Sequence, residues 1–247
     1  MIRKLLPALG GVLIAASVVG GTAAGGQDPQ ATQSSTAGGR AFDPDDFVAG
    51  APITNTYFPL PKGRVLVYAG VKDGQTQRDT VTVTSRTKVI LGVTATVVRD
   101  VAVHGTNILE KTEDWYAQDR EGNVWYLGER TAAYDPDGTV DTSGSWQAGV
   151  NGAIPGIIME AHPRIPDAYR QEFLAGEAED TAWVVDRGGA VTVPYGRVRH
   201  VLTTLEATAV EPGAYDQKVY GPGLGIVLEQ ALSGPPEVAK LVSVSGP

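Results

Sequence analysis

The sequence predicts an all-β protein, an antiparallel meander that forms a barrel or half-barrel, or else a sandwich. Three observations predict it. Hydrophobicity alternates with a period of two along nearly every segment after residue 51. Val and Thr are abundant while only 4 Phe and 2 Met occur, a composition suited to pleated, half-buried surfaces. Turn residues drawn from 31 Gly and 16 Pro punctuate the chain at hairpin spacing.

The first element is an address. Arg3 and Lys4 form a charged head, Leu5 to Val19 an apolar stretch broken by Pro7, Gly10 and Gly11, and Thr22-Ala23-Ala24 a small-residue cleavage site. That run is shorter than the roughly 20 residues a spanning helix needs, so residues 1–24 read as a signal peptide and the mature protein as secreted, with no membrane span. The chain has no Cys, which excludes both a lipid-bearing thiol and a disulfide framework. Residues 25–51 are Gly, Ser, Thr, Gln and Asp with little to bury, the composition of a flexible tether whose end Phe42 and Phe47 could dock. Residues 52–247 then make a single β domain. A formal charge of −8 without clustered Lys and Arg argues against nucleic acid and anionic membranes as partners.

Eleven segments within that domain read as strands: 64–70, 79–87, 93–103, 108–118, 123–129, 168–176, 181–187, 197–208, 215–221, 224–232 and 238–244. KDGQ, REGN, PDGT, DRGG, EPGA and GPG supply the turns between them. Residues 152–166 contain Pro155, Pro163 and Pro166 and read as a loop crossing the structure, with room at most for a short helix.

The densest stretch is DWYAQDREGNVWYLGE, 114–129. Asp119 stands where a type I turn wants it and Gly122 where positive φ is needed, so a three-residue loop with a glycine bulge is expected. Tyr116 then opposes Tyr126, Trp115 opposes Leu127, Ala117 opposes Trp125, and Asp119 opposes Asn123. One face carries Trp115, Ala117, Trp125 and Leu127 and belongs in the core; the other carries Asp114, Tyr116, Gln118, Val124 and Tyr126. A two-residue loop would put Asp114 opposite Glu129, which is unfavourable unless a proton, an Arg or a cation lies between them. Facing outward, the tyrosine side is an ordinary amphipathic surface. Facing into a barrel, it lines a pocket in which phenols offer apolar bodies with polar tips.

The run DWYAQDREGNVWYLGE, with YFPLPKGRVLVYAG (57–70), GSWQAGVNGAIPGIIM (144–159), YRQEFLAGEAED (169–180), VTVPYG (191–196) and KVYGPGLGIVLE (218–229), resembles an uncharacterised family of exported bacterial β-rich proteins. The resemblance covers nearly the whole chain after residue 51 and implies no activity. Leu66 stands where that family often has Trp, and Gln217 where it tends to have His, so a His-dependent role at the latter position is closed to this chain.

Catalytic motifs are sparse. The three His are His104, His162 and His200, and HExxH, GxSxG and Walker patterns are absent. Ser145 lacks the second Gly of a nucleophile elbow. His162 sits beside Glu160 in EAHPRIP, a pair that could orient a base, although a lone loop His is the commoner case. Glu110, Glu113, Asp114, Glu129, Glu172, Glu177, Glu179 and Asp180 could furnish an acid/base pair, with solubility as their ordinary role. DPDGTVD (135–141) spaces three Asp like a calcium loop but lacks the bidentate Glu, and reads as a turn. GPGLG (221–225) likewise reads as a turn.

These residues predict a secreted barrel, lipocalin-like in outline, that binds an apolar or amphipathic small molecule through Asp114, Tyr116, Gln118, Tyr126 and Glu172, without cofactor or metal. The alternatives are a carboxylate-dependent extracellular hydrolase and a non-catalytic scaffold or adhesion module.

Overall fold

The computed structural model describes residues 36–37, 40–72 and 74–247. The expected signal peptide, and the expected tether apart from residues 36–37 and 40–51, lie outside these. A short hairpin of Thr36–Ala37 (β1) and Arg40–Ala41 (β2) is followed by one 3-10 turn at Pro44–Asp46, capped by the Asp43 side chain.

The barrel wall begins with β3 (Val65–Lys72), β4 (Gln75–Ile90), β5 (Val93–His104), β6 (Asn107–Gln118) and β7 (Val124–Tyr134). Two short strands, β8 (Val140–Asp141) and β9 (Trp146–Gln147), pair onto β7. Then come β10 (Ile154–Met159), β11 (Ala168–Arg170), β12 (Glu172–Phe173), β13 (Asp180–Val193), β14 (Gly196–Thr208), β15 (Tyr215–Gly221), β16 (Gly225–Ala231) and β17 (Val238–Ser245).

Each long strand pairs antiparallel with its successor, as alternating patterns joined by tight turns require. The last strand returns to the first, with Val65 opposite Ser245 and Val238 opposite Val71. The result is a nearly closed antiparallel barrel. Its seam is made by one short segment: β11 pairs with β13 on one side, while β12, a single residue later, pairs with β10 on the other. Gly156 permits this closure, because a Cβ there would overlap the Gln171 carbonyl.

The eleven expected strand segments all lie in the sheet, with three differences of detail. Residues 154–159 form strand β10, not a crossing loop. Ile157, Ile158 and Met159 are buried, and Pro155 falls at the start of the strand, beside the two-pair ladder to β12, where a missing donor is tolerated. DRGG is not a turn either: β13 runs through it with register shifts between Val184 and Ala190, and the chain reverses at 194–195. The segment expected as one strand over 168–176 is split at Gln171 between the two sides of the seam.

Candidate functional site

The hairpin between β6 and β7 is built around Asp119. Its carboxylate accepts from the backbone N–H groups of Glu121 and Asn123, from Asn123 Nδ2 at 2.8 Å and from Trp125 Nε1 at 2.9 Å. Gly122 takes φ of 98°, and Tyr116 opposes Tyr126 while Ala117 opposes Trp125, so the bulged register holds next to the turn. It does not persist. The register shifts between Asp114 and Tyr116, with Gly128 at φ 127°, and beyond the shift Asp114 stands directly opposite Glu129. A side chain at position 128 would collide with the Trp146 carbonyl of β9, so glycine serves both the conformation and the approach.

Both faces of this hairpin are buried. The tryptophan face is roofed by the segment before β3, where Phe42 meets the Trp125 ring edge-on at 5.3 Å and Phe47 lies 6.4 Å from it, and by β4, whose Lys88 Nζ lies 3.2 Å from the Trp115 ring centre. The expected docking of Phe42 and Phe47 is therefore observed. The tyrosine face looks inward. Tyr116 and Tyr126 stack at 4.8 Å, and Phe58 and Trp146 extend the row edge-on at either end.

Carboxyls share that interior. Tyr126 Oη lies 2.8 Å from Asp114 Oδ1 and 3.1 Å from Glu129 Oε2. Thr112 and Thr131 hydroxyls both donate to Glu110 Oε1. Burial raises the Asp114 pKa to about 7, with the Tyr126 hydrogen bond opposing and Glu110 adding to the rise. Glu129 is raised well above its ordinary value by burial and then by Asp114 and Glu110; Glu172 is raised likewise by burial, then Asp180 and Glu129. The Trp146 N–H offsets only part of the rise at Glu172, and neither atom attains a hydrogen bond of normal geometry.

A second polar group lies on the C-terminal half of the wall. Lys218 Nζ sits 2.7 Å from Glu206 Oε2 and 3.9 Å from Glu229 Oε1, with Lys218 and Glu206 almost wholly buried. Burial alone would lower the lysine pKa, but Glu206 and Glu229 outweigh it and hold the ammonium charged.

A half-open crevice of about 40 Å³ leads from the surface to this interior. Phe58, Leu60, Leu66, Val81 and Leu224 form its apolar walls, and Asp100, Asp114 and Tyr116 lie at its polar end. Its volume suits a water or two, or the end of a small molecule, and is far below that of a pocket swallowing a drug-sized ligand. A larger open cleft of about 550 Å³ lies outside the wall, lined by Arg40, Glu121, Glu160, His162, Arg164 and Asp167. Burial and then Asp167 raise Glu160 to about 7 there.

Of the residues singled out by sequence, Asp114, Tyr116, Tyr126 and Glu172 are all buried on the interior side. Gln118 is not brought to them: its Oε1 accepts from the Thr54 and Asn55 backbone N–H groups at 2.7 and 2.9 Å, tying down the segment ahead of β3. Sequence reasoning missed Asp100, Phe58 and Lys218. The signal was strand parity, since Asp100 alternates with buried Val98 and Ala102, as Lys218 does with buried Asp216 and Tyr220. The DPDGTVD stretch is a turn, with Gly138 donating to the Asp135 carbonyl. His200 is exposed. Among the described residues no group of three or more His, Asp or Glu is disposed to hold a metal ion, and no helix is long and apolar enough to cross a membrane.

No family model and no curated protein matches the chain. Two solved structures are similar to it. One, from Bacteroides fragilis NCTC 9343 and described as an exported protein with a YmcC-like fold, shares 13% identity over 78% of this chain and 100% of that one, with a TM-score of 0.44. The other, described as a lipoprotein from Parabacteroides distasonis ATCC 8503, shares 11% identity over 77% of this chain and 99% of that one, with a TM-score of 0.40. Neither is close enough to lend this chain an activity or a ligand.

Proposed function

We propose that the chain is a secreted binding protein that holds one end of a small amphipathic molecule in the crevice at the barrel mouth. The observation that carries this reading is the crevice itself, where an apolar wall of Phe58, Leu66, Val81 and Leu224 ends on buried Asp100 and Asp114. A packed core has no use for carboxyls at that place, since burying each one is unfavourable. The guest enters end-on, its remainder lying across the mouth by Phe58 and Leu224. Native mass spectrometry of protein purified from its own host tests this: a bound small molecule is expected, and Leu224→Trp at the half-exposed rim should reduce its occupancy at least fivefold. Ligand-free protein from the host would overturn the reading. Export is tested by N-terminal sequencing of the secreted form, with a start near residue 25 expected.

A second reading, a carboxylate-dependent hydrolase, is favoured by one observation. In the open cleft Glu160 is held as an acid near neutrality beside Asp167, the pairing of acid and base that hydrolysis uses. If any hydrolytic activity is found in a substrate screen, Glu160→Gln must abolish it; activity unchanged in that variant removes this reading.

A further inference from the structure

The Asp100 side chain is almost wholly buried and lines the crevice, and neither of its carboxyl oxygens receives a hydrogen bond of normal geometry. Burial raises its pKa well above the ordinary value, followed by the charges of Asp79, Asp114 and Glu110; the neighbouring Val101 N–H offsets only part of the rise. The charges that raise it are all acids. The buried amines are engaged elsewhere: Lys218 with Glu206 and Glu229, and Lys72 against Asp79. A buried carboxyl that faces a crevice without a hydrogen-bond donor is completed by a group that brings both N–H donors and positive charge.

We propose that the guest of the crevice is a primary alkylamine, its ammonium seated between Asp100 and Asp114 and its chain along the apolar wall. This inference rests on the binding reading above and names the chemical class of its ligand. The head must be small, because the crevice holds only about 40 Å³. It must donate hydrogen bonds, because the Asp100 oxygens lack donors. A primary ammonium offers three N–H groups in a compact head, whereas a quaternary ammonium is bulkier and offers none. Phe58 and Tyr116, whose rings lie 5.2 Å apart, line the same crevice and give the chain next to the ammonium an apolar bed. Burial favours the neutral form of Asp100, and a proton that the carboxyl gives up on pairing with an arriving ammonium leaves to solvent. A carboxylate-headed guest would bring one more negative charge beside Asp100 and Asp114, whose own charged forms burial and neighbouring acids already disfavour, and be rejected.

Isothermal titration of the mature chain with hexylammonium, hexanol, hexanoate and hexyltrimethylammonium distinguishes the possibilities. Hexylammonium is expected to bind at least tenfold more tightly than hexanol and hexyltrimethylammonium, and hexanoate most weakly. Asp100→Asn, nearly isosteric, should reduce the preference for hexylammonium over hexanol to less than threefold, and the wild-type ranking alone remains decisive if that variant fails to fold. Hexanol binding as tightly as hexylammonium would overturn the amine assignment and leave the binding reading standing. If none of the probes binds, the amine assignment falls, and host-derived ligand then decides the broader reading separately.

Discussion

Asp114 and Glu129 stand directly opposite each other across β6 and β7, and the single phenol of Tyr126 lies within hydrogen-bond distance of both. A phenol has one proton to give. The shorter contact is the 2.8 Å one to Asp114, and burial with the neighbouring Asp114 and Glu110 favours the protonated form of Glu129, whose hydroxyl can complete the 3.1 Å contact. Two acids that would repel as anions are thereby joined in one chain of hydrogen bonds.

Removing that bridge should be felt. Tyr126→Phe leaves two buried carboxyls short of a partner, and a loss of about 2–3 kcal/mol is expected at pH 7 in urea denaturation. At pH 5, where both acids are neutral and can hydrogen-bond one another, the loss should be smaller.

Stability should fall as pH rises from about 4.5 to 7. Asp114, Glu229 and Glu160 have their pKa raised to about 7 and Asp216 to about 6, in each case first by burial. The folded protein therefore binds more protons than the unfolded chain across that interval, and unfolding becomes easier with each step upward in pH. Glu113 runs the other way, lowered by Arg86, but its interval lies below the ordinary Glu value. Thermal midpoints are expected to be several degrees higher at pH 5 than at pH 8; a rising trend would contradict the burial of these acids.

The Lys218 ion pair tests a different balance. Lys218→Met strands Glu206 in the interior and should cost about 3–5 kcal/mol, whereas Lys218→Met combined with Glu206→Leu should recover most of it. Equal losses in the single and double variants would mean that the pair contributes net attraction beyond its desolvation.

Closure at the seam depends on the missing side chain of Gly156. Gly156→Ala should destabilise by more than about 2 kcal/mol through overlap with the Gln171 carbonyl, and should raise hydrogen exchange in 168–173 first. Gly138→Ala is the control: nothing stands within 4 Å of its Cβ position, so only the strain of φ 89° is added, worth about 1 kcal/mol.

Local chemistry was readable and long-range contact was not. Asp119, Gly122 and the aromatic alternation are short-range signals, and they specify the turn and its adjoining register correctly. The shift at Gly128 answers to the Trp146 carbonyl, eighteen residues away, which no pattern within the hairpin reveals. For that reason two registers that look like alternatives in sequence both occur in one ribbon. Gln118 shares the parity of Asp114 and Tyr116, yet its carboxamide serves the Thr54–Asn55 backbone, because the strand end has already left the crevice. Residues 154–159 were obscured by prolines whose positions matter only once the partner strands are known.

A β-rich chain without disulfides must also avoid polymerising with its own copies. Here the main sheet ends in strands of three and two residues, β11 and β12, and both belong to the same seam segment. So short a ladder gives a neighbouring molecule little template at the seam itself, and the free side of β13 beyond Val184 is interrupted by register shifts that make it a poor one.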